Sequence, residues 1–83
     1  MKIITISEPG CGAKPTGYAA AIPNDNRETL KAHIEKGLVE GWSMTDGMAE
    51  KAASEEDLDD LRASWYTYIC DGRFLVEVTM LDT

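Results

Sequence analysis

A chain of 83 residues, 43% hydrophobic and 28% charged, with a formal net charge of −7, has room for one core, because a domain this small buries only about 60–65% of the surface its unfolded chain exposes. That much apolar material argues against intrinsic disorder, and a pI near 4.5 argues against direct binding to nucleic acid or to anionic membranes, which needs concentrated positive charge. The longest apolar runs, such as residues 19–22, fall far short of the ~20 residues that span a bilayer as a helix.

Lys2 to Ser7 is rich in β-branched residues and predicts a first strand. Residues 8–17 hold three glycines and two prolines and read as a loop. Tyr18 to Ile22 is short, apolar and flanked by Gly17 and Pro23, which favours a strand, so the first two strands are expected to form a hairpin with a long connection. Leu30, Ile34 and Leu38 recur at helical spacing and predict an amphipathic helix over residues 27–39. Gly41 stands where a left-handed C-cap is expected, and Gly37, inside the last turn, calls for a packing contact to offset a cost of about 1 kcal/mol relative to Ala.

Thr45 suits the N-cap of a helix starting at Asp46, and Ser54 with Asp57 three residues on resembles a capping box that begins a further helical piece. Whether residues 46–63 form one helix or two is left open by the pattern. Two strand-like runs then flank Asp71-Gly72, the favoured type I′ hairpin turn. That turn fixes a register in which Ile69 faces Phe74, Tyr68 faces Leu75, Thr67 faces Val76, Tyr66 faces Glu77 and Trp65 faces Val78. Alternation assigns Trp65, Thr67, Ile69, Phe74, Val76, Val78 and Met80 to the core, and Tyr66, Tyr68, Leu75 and Leu81 to the opposite face. The expected architecture is a single α+β domain spanning residues 1–83: a four-stranded, mainly antiparallel sheet, two or three helices on one face, and a C-terminal β-hairpin.

No motif points to catalysis or to a cofactor. In the loop of residues 10–17, Pro15 separates Lys14 from Thr16 and a strand follows, so the phosphate-loop pattern fails. Cys11 and Cys70 lie 59 positions apart, without metal or redox spacing, and read as reduced thiols. His33 is the single histidine and reads as a helix-surface or boundary residue. Thiol or acid–base chemistry by Cys11 or His33 needs a partner group that the sequence does not place beside either one. The acids of residues 57–60 lack the mid-loop glycine of a calcium-binding loop. The expectation is therefore a non-enzyme without metal or cofactor, and the N-terminal run, too short and too β-branched for a signal-peptide core, makes it a cytoplasmic one.

Charge is the remaining signal. Residues 40–60 carry eight acids, Glu40, Asp46, Glu50, Glu55, Glu56, Asp57, Asp59 and Asp60, against one base, Lys51, a net −7 equal to that of the whole chain. Glu55, Glu56 and Asp57 suit the first turn of a helix, where the dipole favours anions by a few tenths to about 1 kcal/mol each. Glu40, Asp46, Glu50, Asp59 and Asp60 have no such local explanation. One reading is a solvated face that keeps a small domain soluble. The other is an array of charge that imitates a nucleic acid and occupies a basic groove on another protein. In size and acidity, though in no motif, the chain resembles the inhibitors that phages encode against host nucleic-acid enzymes, the anti-CRISPR proteins among them. The resemblance implies a protein-binding inhibitor, and the charge run offers Glu40, Asp46, Glu50, Glu55, Glu56, Asp59 and Asp60 as its contacts, with Tyr66 and Tyr68 on the hairpin as interface aromatics. The alternative is a small homodimeric accessory or regulatory domain that associates through its sheet face.

Overall fold

β-Branched residues at the start of the chain form strand β1 (Lys2–Ser7) in a computed structural model that describes residues 1–9 and 17–80. Strand β2 (Tyr18–Ile22) lies antiparallel to it, with Lys2 opposite Ile22 and Ile6 opposite Tyr18. Most of the loop between them, including Cys11 and Lys14, lies outside the described residues, as does Leu81. Helices α1 (Arg27–Trp42), α2 (Asp46–Lys51) and α3 (Glu55–Ser64) follow, then strands β3 (Tyr66–Ile69) and β4 (Phe74–Met80). The sheet order is β2-β1-β4-β3 and every neighbouring pair is antiparallel. This is the expected α+β fold.

Leu30, Ile34 and Leu38, the stripe that predicted α1, are fully buried. The helix runs three residues beyond the predicted end, and Gly41 lies within it instead of capping it. Ser43 takes the left-handed C-cap position at φ 55°, and the N–H of Met44 reaches the Leu38 carbonyl at 3.2 Å. Both late glycines serve close approach to the sheet. A Cβ at Gly37 would stand 2.6 Å from Ile6 Cδ1 and 2.7 Å from the Tyr18 ring, and one at Gly41 would stand 2.9 Å from the Gly17 carbonyl oxygen.

The acidic stretch resolves into two helices because each has its own cap. Thr45 Oγ1 accepts the Met48 N–H at 3.3 Å. Ser54 Oγ accepts the Asp57 N–H at 3.1 Å, and the Asp57 carboxylate accepts the Ser54 N–H at 3.1 Å, so the capping box is complete. Ser54→Ala removes one of those bonds and is expected to lower stability by about 1 kcal/mol. Urea unfolding would show this as a lower midpoint at unchanged slope; an unchanged midpoint would mean that the box is redundant.

The C-terminal hairpin has the predicted register. Asp71 and Gly72 adopt φ 56° and 85°, and the Arg73 N–H closes the turn on the Cys70 carbonyl at 3.1 Å. Regular pairing stops at Ile69–Phe74 because Cys70 is itself left-handed, at φ 54°. Thr67, Ile69, Phe74, Val76 and Val78 are buried as predicted, whereas Trp65 and Met80 are exposed. Trp65 is the C-cap of α3, with φ 67°, so strand alternation begins only at Tyr66. Met80 ends β4 opposite Lys2, at the margin of the sheet, and Lys2 Nζ instead sits 5.2 Å from the Trp65 ring centre.

One core unites the inward side chains of the sheet with those of all three helices. The outward side chains Ile3, Thr5, Ser7, Ala19, Ala21, Tyr66, Tyr68, Leu75, Glu77 and Thr79 form the other face of the sheet, and each is exposed or half-buried.

Candidate functional site

The turn after Ser43 folds α2 back along α1, and this brings separate acids together. Glu35 and Glu40 on α1 meet Asp46 and Glu50 on α2 around a groove of about 500 Å³, floored by Val39 and Ala49. Among the described residues Lys36 is the only cationic side chain in its lining, where four carboxylates stand against one ammonium, a net −3. Lys36 forms an exposed i, i+4 pair with Glu40 at 3.9 Å, an interaction worth only a few tenths of a kcal/mol.

Lys31 is committed elsewhere. Its ammonium donates to the Glu50 carbonyl at 2.7 Å and the Ala53 carbonyl at 3.4 Å, where a cation complements the exposed carbonyls at the C-terminal end of α2. It thereby ties α2 to α1 and fixes the spacing of the groove walls, while its own pair with Glu35 is long, at 3.9 Å. Asp46 stands in the first turn of α2, favoured there by the helix dipole. Glu50 lies one turn further on and has no ion pair among the described residues.

Three of the five acids for which the sequence alone offers no local explanation, Glu40, Asp46 and Glu50, thus share one groove. The other two separate from it. Asp59 is ion-paired with Arg27 and joins α3 to the start of α1, which gives it a structural role. Asp60 is exposed on α3, without an ion pair among the described residues. Glu55 and Glu56 occupy the first turn of α3, and Glu55 lines a second groove of about 330 Å³ whose charges are balanced, Arg27 and Lys31 against Glu28 and Glu55. Tyr66 and Tyr68 project from the sheet face opposite the helices, so they belong to a separate surface. Glu35 is not among the candidates the sequence offers, because it lies outside the acidic run of residues 40–60, in a stretch whose charges nearly balance. Its signal was helical spacing, one turn before Val39 and five residues before Glu40.

The chemically versatile side chains are placed for packing. His33 is half-buried at the α1–β2 boundary, with Nδ1 3.0 Å from the Tyr18 hydroxyl. Burial, and after it the charge of Glu40, push the Tyr18 phenol above its ordinary pKa, which keeps it protonated. Burial likewise raises the Cys70 thiol despite the opposing pull of Arg73, the opposite of what activates a nucleophile. Among the described residues no cluster of three or more His, Cys, Asp and Glu side chains is arranged to hold a metal ion, and no helix is long and apolar enough to cross a membrane. No protein-family profile, no curated protein and no solved structure matches this chain.

Proposed function

We propose that this protein is a non-enzymatic, cytoplasmic binding protein that sets the acidic side of its helices against a basic, nucleic-acid-binding site on another protein and so keeps nucleic acid out. The observation that carries this reading is the convergence of Glu35, Glu40, Asp46 and Glu50 on one groove with a single ammonium in its lining. Local helix physics accounts for Asp46 through a helix dipole, and for Glu35 and Glu40 through long i, i+4 pairs with Lys31 and Lys36, one by one and only weakly. It does not require the four to converge, since clustered like charge works against its own fold. Carboxylates on two packed helices form a preorganised acidic array, and a complementary basic surface gains encounter rate and register from it. The apolar floor suits the aliphatic stem of an inserted Arg or Lys while the rim receives its charge. In size and acidity the reading agrees with the phage-encoded inhibitors of nucleic-acid enzymes.

The test is affinity capture from nuclease-treated lysate of the native host, with wild type and with Glu40→Lys/Asp46→Lys/Glu50→Lys as bait. Three reversals at exposed or rim positions add two charges each and take the net charge from −7 to −1. The expected result is a basic nucleic-acid-binding protein that wild type retains, that is released between about 0.05 and 0.5 M NaCl as screening shortens the Debye length, and that the variant holds at least ~10-fold more weakly. The same partner bound equally by the variant, or at either salt concentration, would remove the electrostatic mechanism.

A further inference from the structure

The open face of the sheet has a size pattern that acidic docking leaves unused. Its outward side chains fall into cross-strand rows: Ala21, Ile3 and Thr79; then Ala19, Thr5, Glu77 and Tyr66; then Ser7, Leu75 and Tyr68. One edge strand, β2, presents only alanines on this face. The other, β3, presents only tyrosines, each 52% exposed and packed edge-to-face at 6.4 Å between ring centres. Glu77 is the one charged residue on this face among the described residues, on a molecule whose net charge is −7.

We propose that this face is a dimer interface between two copies of the chain, packed sheet to sheet about a two-fold axis that runs along the strands between β1 and β4. Such an axis lays β1 of each copy over β4 of the other and β2 over β3. The tyrosine edge of one copy then covers the alanine edge of the second, with Tyr66 above Ala19, large against small as interdigitating layers require. Thr5 meets Glu77 in the same row, and its hydroxyl can donate to the carboxylate, so the one buried charge has a partner. The two Glu77 side chains stay apart, offset by a strand spacing of about 4.8 Å across an intersheet distance of about 10 Å. The contact is self-complementary, as a two-fold interface must be, and the small angle between aligned sheets preserves the matching rows near the axis.

Other occupants fit less well. The absence of any cation on the face among the described residues, together with the net charge, disfavours phosphate-bearing nucleic acid, although exposed aromatics on a four-stranded sheet are also what an RNA-binding sheet uses. The acidic helix side of another copy lacks the neutrality that a face with Glu77 as its one charge would favour. Four strands at about 4.8 Å and six residues at about 3.4 Å give a footprint of ~400 Å² per copy. The total of ~800 Å² is about half a standard interface, so the dimer is weak and dissociates on dilution.

Sedimentation equilibrium over about 10 μM to 1 mM reads the association directly, from the 9.1 kDa monomer upward. Each of Ala19→Tyr and Tyr66→Ala is expected to weaken dimerisation at least ~10-fold, one by collision and the other by loss of its anchor. The double variant Ala19→Tyr/Tyr66→Ala exchanges knob and hole and is expected to recover most of the wild-type affinity. Higher salt should strengthen the dimer, since it screens two bodies of charge −7, whereas docking to a basic partner should weaken, so the two proposals can fail independently. Amide shifts of wild-type protein on dilution provide a check that requires no variant; they should map to the outward residues of β1 to β4. A monomer at 1 mM, a double variant no better than the single ones, or dilution shifts confined to the helices would overturn the proposal.

Discussion

Phe74→Ala is expected to lower the unfolding free energy by about 3–5 kcal/mol, a large share of the about 4–12 kcal/mol that a domain of this length commands. Phe74 is fully buried at the start of β4, and two side chains meet its ring. Trp42, the last residue of α1, meets it edge-on at 4.8 Å between centres. The Arg73 guanidinium stands 4.9 Å from the ring centre. Glu8, just past β1, holds both neighbours: one carboxylate oxygen accepts the Trp42 indole N–H at 3.2 Å and the other accepts Arg73 Nε at 2.6 Å. A cavity at Phe74 therefore cannot be closed by a shift of Trp42 without breaking the Glu8 bridge. That places the cost towards the upper part of the range. Denaturant unfolding followed by tryptophan fluorescence measures it, with Phe74→Leu as the smaller truncation expected to cost less; a loss below about 1 kcal/mol for Phe74→Ala would mean that the ring is not confined as described.

The second large effect reverses sign between two glycines. Gly37→Ala places a methyl 2.6 Å from Ile6 Cδ1, which is itself fully buried, and 2.7–2.8 Å from the Tyr18 ring. Overpacking costs about 1–3 kcal/mol and the gain in helix propensity offsets about 1 kcal/mol of it, so a net loss of up to ~2 kcal/mol is expected. Tyr18 cannot swing aside freely, because its hydroxyl is bonded to His33. Gly47→Ala makes the same chemical change in α2 with nothing within 4 Å of the new methyl. There propensity acts alone and a gain of up to about 1 kcal/mol is expected. Parallel denaturation of the two variants decides the matter: equal shifts of one sign would show that propensity, not helix–strand proximity, governs residue 37.

Local signals in the sequence carried most of the fold. The Leu30, Ile34, Leu38 spacing, the two caps at Thr45 and Ser54 and the Asp71-Gly72 turn each name their element by short-range chemistry, and each element forms. What failed, failed where tertiary contact overrode a local rule. Gly41 looks like a helix terminator, yet it is there because the Gly17 carbonyl passes too close for a side chain. Trp65 alternates correctly with Thr67, yet the end of α3 claims its backbone. The site was legible only in part for the same reason. A count of charge along the chain found Glu40, Asp46 and Glu50, but whether they meet depends on how α2 folds back on α1. No local pattern reports that, nor that Asp59 is satisfied by Arg27, 32 positions earlier.

The placing of β4 between β1 and β3 sets the order in which the chain can mature. Lys2 pairs with Met80 and Ile4 with Val78, partners more than 70 positions apart, so the middle of the sheet cannot be completed before residues 74–80 are made. Until residues 74–80 arrive, β1 has only β2 among its native partners and one side of its backbone must stay unpaired, the condition under which nascent strands recruit one another. Such long-range closure slows folding relative to a helical chain of equal size. During synthesis the helices can form early, but the surface they present becomes fixed only when the final strand seals the sheet beneath them.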